Sequence, residues 1–470
     1  MTDWNKDTIH ETVLRQKNFF MSNQTLDVRW RLAQLKKLKD AVIRYHSQME
    51  DALAMDLKRH PVEAYFCDIG SLITEINEMI AGLKKWAKPE VHYSGIMCFP
   101  SVVTKVYHMP YGVTLIIAPF NFPFLLSLSV LAASLAGGNT AVIKASSKSS
   151  ACSEVLCRMV AATFPPEYVT VVTGSHEVAD FCLEEKFDKI FYTGSPRVGK
   201  HILAKAADNL IPCALELGGE TGNWCIVRKD ADLADAARKI AFFKLCNSGQ
   251  ICININQVAV AREVVYDFLT CLKKELRRQI GVSAIANPEY PCLISDQAYD
   301  RCEAEVKQYR ERIVCGGYGN RELRKFEPTV IFPVDVSEPI VQHELFSPLL
   351  PVVPFDDNTI DTLLHTIASR EKPLAFYLFT KDKAWAEKTM RTMQFGGGCV
   401  NEVCVHMMVK GVPFNGVGHS GMGAYHGEWG FREFTHPQTV LFGSSHLNLS
   451  LREHPYETPL KKALIQLFER

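Results

Sequence analysis

Cys252 stands in the stretch NSGQICIN, and its thiol is a residue type suited to covalent chemistry. A thiol attacks an electrophilic carbon only as thiolate, so a catalytic cysteine needs surroundings that favour deprotonation and donors that hold the charge it creates. Taken alone, Cys252 reads as a small buried hydrophobe, which is what most cysteines are. The chain has 15 cysteines, none in Cys-x-x-Cys spacing, and no histidine lies between Cys246 and Cys252, so no metal site is expected.

A second feature with chemical potential is FYTGSPRVGK. An apolar strand stops at Gly194, Ser195 suits a helix N-cap, Pro196 suits the first helical position, and Gly199 closes the turn. A helix that opens at the carboxyl end of a parallel strand presents backbone N–H groups to an anion such as a cofactor pyrophosphate. The glycines do not follow Gly-x-Gly-x-x-Gly, and such turns also serve packing.

The elements that must position these residues follow from periodicity. Between 111 and 214 the chain alternates apolar runs (VTLIIAP, TAVIKAS, YVTVVTG, KIFYTG) with helical segments, the pattern of an α/β fold with a parallel sheet. From Val106 to Ile143 there is no Asp, Glu, Lys or Arg. Pro119 and Pro123 flank Asn121 within that run and break any continuous helix, so a buried strand, helix and strand explains it better than a membrane span. Before it, Trp30, Leu32, Leu35, Leu38 and Val42 recur at helical spacing, and SVVTKVYHMP at 101–110 reads as a strand. After LELGGETGNWCIV a second α/β series begins, with strands expected at NQVAVA and PLLPVVPF, followed by the glycine-rich segment FGGGCVNEV.

Composition narrows the partners. Lys+Arg 52 balance Asp+Glu 52, and 47% of the residues are hydrophobic, so no charge excess is available to hold nucleic acid or anionic lipid. The 470 residues exceed one compact core and predict two domains. Scattered cysteines behind an opening segment without an apolar signal fit a reducing, cytoplasmic setting.

In chain order, APFNFPF, AVIKASS, FYTGSPRVGK, LELGGE, NSGQIC, HELFSPLLPV, GGGCVNEV and PFNGVGHSGMGAYHG resemble the aldehyde dehydrogenase superfamily over nearly the whole chain. NEVCVH and GVGHSGMGAYHG are most similar to its class 3 type, which acts on fatty and aromatic aldehydes. The resemblance implies a Rossmann-like cofactor domain (1–90 and 111–214), an α/β catalytic domain (215–421), a small β oligomerisation element (91–110 and 422–447) and a tail helix (448–470). It implies a homodimer and NAD(P)-dependent oxidation of an aldehyde to the acid. Cys252 would be the nucleophile, the side-chain amide of Asn121 an oxyanion donor, and Glu216 the base that activates water against the thioester. Relatives that pass the acyl group to coenzyme A typically lack that glutamate, so its presence favours a free acid; a scaffold without turnover would have lost nucleophile or base.

For the cofactor, the resemblance assigns Glu344 and Phe346 to the nicotinamide ribose and ring, and Lys144 to the adenosine ribose. Ser147 stands where NAD-preferring relatives carry a glutamate; a carboxylate there would repel a 2′-phosphate, so NADP is expected to be accepted, alongside NAD. Four positions depart from the family pattern: Phe120 for Trp, Glu220 for Lys, Ser347 for Gly and Asn415 for Gly. Glu220 is expected to raise the pKa of Glu216, and Ser347 to shift the loop that carries Phe346.

Overall fold

The computed structural model describes residues 3–95, 98, 101–444, 446 and 453–468. The run VTLII forms the strand Val113–Ile117, buried because it sits in the middle of a six-stranded sheet. The sheet runs in the order Gly421–Met422, Cys213–Leu217, Lys189–Gly194, Val113–Ile117, Thr140–Lys144, Val169–Val172. All neighbours are parallel except Gly421–Met422. The chain winds outward from Val113–Ile117 through the next two strands, then returns to its other side at Lys189–Gly194. The loops leaving Val113–Ile117 and Lys189–Gly194 therefore diverge, and in open parallel sheets that divergence makes a ligand crevice at the strands' carboxyl ends.

The charge-free run is explained by its burial. Helix Leu125–Gly137 is buried along its whole length, beneath helices Val28–Arg44, Gly70–Trp86 and Gly427–Glu433. Among the described residues no helix is long and apolar enough to cross a membrane. Helix Val28–Arg44 begins where the Asp27 side chain accepts from the Arg29 N–H, and it turns Leu35, Leu38 and Val42 inward.

A seven-stranded sheet forms the second layer system, in the order Ile313–Cys315, Thr329–Ile331, Leu349–Phe355, Ile255–Ala261, Asn223–Val227, Ala375–Phe379, Gly397–Val400. Only the first pair is antiparallel. The two doubly wound sheets make this an α/β chain. The strand Cys213–Leu217, which carries Glu216, belongs to the first sheet, so a divide at 214/215 cuts a strand; Gly421–Met422 returns to that same sheet.

A third sheet joins Glu90–Tyr93, Val103–Pro110 and Thr435–Phe442, all antiparallel, with Val91, Tyr93, Val103, Leu441 and Phe442 exposed on it. Of the arm at 91–110, residues 96, 97, 99 and 100 lie outside the described residues, as do 445 and 447 of the segment 422–447. Of the tail, 453–468 are described and carry the helix Pro459–Phe468.

Candidate active site

The loop that carries Cys252 is a tight turn between a helix and a central strand. Helix Leu233–Leu245 ends, and Asn247, Ser248 and Gly249 follow with φ of 49°, 52° and 77°. Left-handed backbone at two non-glycine residues costs of order 1–3 kcal/mol each and persists only where surroundings impose it. They do so here. The Gln250 side chain donates to Asn247 O (2.9 Å) and Cys292 O (3.0 Å) and accepts from Ile294 N–H (3.0 Å), and Ser248 Oγ meets Tyr290 OH at 3.0 Å. Gly249 has no room for a side chain, since a Cβ would strike the Ser347 carbonyl. Past Cys252, Asn223 Nδ2 donates to Cys252 O and Asn254 O, both at 2.8 Å, and holds the loop to the neighbouring strand.

Cys252 lies half-buried at the floor of this loop. Burial, then the charges of Glu344 and Glu216, push its thiol up to about 12, opposed by the N–H groups of Ile253 and of Cys252 itself. The protein thus holds Cys252 as a neutral thiol with two donors already in place for the thiolate. It also shows that Cys252, Glu216 and Glu344 share one electrostatic environment, although they come from three motifs.

Asn121 hangs from the other sheet, in the loop after Val113–Ile117, and is buried. Its Nδ2 donates to Gln250 O at 3.2 Å, two residues before Cys252, and leaves its second amide proton for another acceptor. The backbone carbonyl oxygen of Asn121 accepts from Arg59 Nη2 (2.6 Å) and Asn247 Nδ2 (3.2 Å). Arg59 is in turn paired with Asp68 at 3.3 Å, both side chains fully buried, and Asp68 Oδ1 receives the Leu125 N–H at 2.5 Å. Burial raises Asp68 to about 6 despite Arg59, so the pair is held at a solvation cost.

Nothing local in the sequence pointed to Arg59 or Asp68, because they act on Asn121 from more than fifty residues away. Truncating Arg59 to Ala leaves a buried carboxylate without its cation and is expected to destabilise the fold by about 3–5 kcal/mol. Urea unfolding followed by circular dichroism checks this; an unchanged midpoint would contradict it.

Glu216 sits near the end of strand Cys213–Leu217, 3% exposed, and its Oε2 is buried without a hydrogen-bond partner. Burial, and secondarily the charge of Glu433, raise its pKa well above the usual carboxylate range. Glu220 does not contribute, contrary to expectation. It points outward to Lys200 (2.8 Å) and His419 (3.1 Å), and these contacts lower its own pKa. Glu433 is instead the second charge, itself paired with Lys189.

Glu344 and Phe346 precede strand Leu349–Phe355, the neighbour of the strand that follows Cys252. Glu344 packs its carboxylate against the Cα of Gly218, where any side chain would collide, and burial lifts it to about 8. Phe346 takes φ 47° and sets its ring edge-on to Phe120 at 5.9 Å. The Ser347 carbonyl packs on Gly249, while its hydroxyl accepts from the Leu349 N–H at 3.5 Å. Asn415 reaches the Gly416 carbonyl at 3.5 Å.

The remaining residues line the carboxyl edge of the first sheet. Lys144 is buried at the end of Thr140–Lys144, donating to Ala145 O (2.8 Å) and Gly174 O (2.9 Å); burial lowers its pKa. Ser147 is exposed just beyond it. Ser195 takes the N-cap backbone position of helix Pro196–Ala207, but its hydroxyl makes no cap bond. The Tyr192 hydroxyl accepts the Ser195 N–H at 2.9 Å, and its ring leaves room only for glycine at 194. Gly199 faces inward, against Leu217, and so packs helix on strand. Among the described residues no cluster suited to a metal ion occurs.

The chain is 35% identical over 455 residues to the 4,4'-diaponeurosporen-aldehyde dehydrogenase of Staphylococcus aureus, spanning 96% of this chain and 98% of that protein. It is 32% identical over 445 residues to the rat protein named "Aldehyde dehydrogenase, dimeric NADP-preferring", spanning 93% and 95%. The solved structure of the substrate-bound state of Staphylococcus aureus AldH superposes with a TM-score of 0.94 at 34% identity, covering 98% of this chain and 99% of that one. Residues 1–440 match the aldehyde dehydrogenase family, and with relatives of this identity and coverage the chain belongs to that family and is an oxidoreductase acting on aldehydes.

Proposed function

We propose that the protein oxidises aliphatic or aromatic aldehydes to free carboxylic acids through a thioester on Cys252, with NAD or NADP as cofactor. The observation that carries this reading is the buried, unpartnered Oε2 of Glu216 in the electrostatic environment of Cys252. Once deprotonated, Cys252 Sγ attacks the carbonyl carbon, stabilised as thiolate by the N–H groups that already face it. The free amide proton of Asn121 and the Cys252 N–H receive the oxyanion of the thiohemiacetal. Cys252 then carries the thioester, and Glu216 takes a proton from water as it attacks.

The nicotinamide dinucleotide supplies the hydride acceptor when bound. The residues present fit it. The sheet crevice ends at Lys144, Ser147 and Ser195, while Glu344 is a half-buried carboxylate with Arg301 as the one charge that lowers its pKa, suited to accept from ribose hydroxyls. Phe346 and Phe120 would bound the ring. The name of the rat relative supports NADP acceptance, and with the exposed apolar residues of the three-stranded sheet it supports a homodimer. A reducing, cytoplasmic setting fits the free thiol.

The test is growth of reduced-nicotinamide absorbance with a panel of aldehydes, together with identification of the product; an acyl-coenzyme A product or no turnover would overturn the reading. Ser147→Glu is expected to lower kcat/KM with NADP by at least about tenfold, roughly 1.4 kcal/mol, through repulsion of the 2′-phosphate. Rates with NAD are expected to change far less. Equal losses with both cofactors would remove Ser147 from the 2′ position.

A further inference from the structure

We propose that Cys67 and Cys246 form a dithiol that hydroperoxides oxidise to a disulfide, a modification site beside the catalytic loop and distinct from Cys252. Their Sγ atoms are 3.4 Å apart and hydrogen-bonded, although the residues are 179 apart in sequence. Among the hydrogen bonds of the described residues no other joins two cysteines. Two thiols also pack this way as small hydrophobes. Three further features favour chemistry.

Cys67 lies in a single π turn, Tyr65–Ile69, set between helices Pro61–Ala64 and Gly70–Trp86. Such turns loosen the helical ladder and recur at functional sites. Accessibility is graded: Cys67 is half-buried between exposed Tyr65 and Phe66 on one side and buried Asp68 on the other, while Cys246 is 5% exposed. An oxidant therefore meets Cys67 first and leaves Cys246 as the resolving thiol. Finally, a proton acceptor is in place. The Glu63 carboxylate accepts from the N–H of Asn247 (2.8 Å), the residue next to Cys246, and its charge acts on the Cys246 thiol, with Arg59 at 3.7 Å.

The steps balance. Cys67 sulfur displaces alcohol or water from the hydroperoxide and becomes a sulfenic acid. Cys246, passing its proton to Glu63, attacks the Cys67 sulfur; hydroxide leaves and takes that proton as water. Overall, two thiols and one hydroperoxide give a disulfide, an alcohol and water. Forming the bond draws the sulfurs more than an ångström closer. Cys246 adjoins Asn247, whose side chain holds both Asn121 O and Gln250 O, so the displacement is passed directly into the oxyanion frame.

The decisive experiment uses the full chain carrying Cys252→Ser, so that the result is independent of the proposed turnover. After hydrogen peroxide treatment, alkylation and digestion without reductant, mass spectrometry is expected to find the Cys67 peptide joined to the Cys246 peptide. The link disappears on reduction and in a chain also carrying Cys67→Ala or Cys67→Ser. Cys67 recovered unlinked, as thiol or as sulfinic acid, or Cys246 joined to another cysteine, overturns the proposal. In the chain with Cys252 intact, peroxide is expected to lower turnover by about 100-fold, the scale of a 1 Å misplacement, reversibly with reductant. Cys67→Ala, normalised to its own untreated rate, is expected to retain its activity; an equal loss would show that the inhibition does not pass through Cys67.

Discussion

Cys252→Ser is expected to lose aldehyde-dependent turnover by about 10⁴-fold or more, with cofactor binding retained. The hydroxyl differs from the thiol by one atom and fits the same space, so the loop bonds of Gln250 and Asn223 should survive. What is lost is the nucleophile. An alcohol ionises far less readily than a thiol, and the surroundings of Cys252 already push ionisation upward, to about 12 for the thiol itself. The barrier added for a serine at the same place is correspondingly larger. Cofactor titration by fluorescence alongside steady-state rates separates the two effects. Turnover retained in this variant would move the nucleophile to another residue.

Glu216→Gln is expected to divide the reaction in two. On the proposed mechanism, acylation of Cys252 does not need this carboxylate, so a first burst of reduced cofactor should persist. Steady turnover is expected to fall by about 10²–10⁴-fold, the range for a positioned general base. The pH profile adds a sign. As the proposed base, Glu216 would work ionised, and its pKa is raised by burial, so the native rate should climb with pH through a value above the ordinary carboxylate range. In the variant that limb disappears.

Stability moves the other way. A folded pKa above the unfolded one favours the folded state at low pH, and the benefit is lost as pH rises through the folded value. Glutamine removes this dependence. A variant with no burst but unchanged pH profile would assign Glu216 to acylation instead.

Much of the site was legible because its residues stand in short segments next to strands with strong periodicity. VTLII, TAVIK and KIFYTG announced the first sheet, and the loops leaving them carry Asn121, Ser147 and Ser195. The supports were not legible. Arg59, Asp68, Asn223 and Glu433 each act on a group far away along the chain, and a lone Arg or Glu in a helix pattern looks like solvent-facing charge. One local expectation failed: Glu220 turned to Lys200 and His419 rather than toward Glu216. That outcome depends on which side of a strand end the chain leaves from, which residue type alone does not tell.

Asn121 and Glu216 belong to one wound sheet, Cys252 and Glu344 to the other, and neither sheet owns a working set. On the proposed mechanism, reactivity is therefore a property of alignment between the two sheets, which a shared cluster of buried side chains packs together. A substitution far from any reacting atom that tilts one sheet slightly is expected to leave a well-folded but silent protein. The Asn121 amide, bonded to Gln250 O across that seam, is the vernier on which the two halves are read against each other.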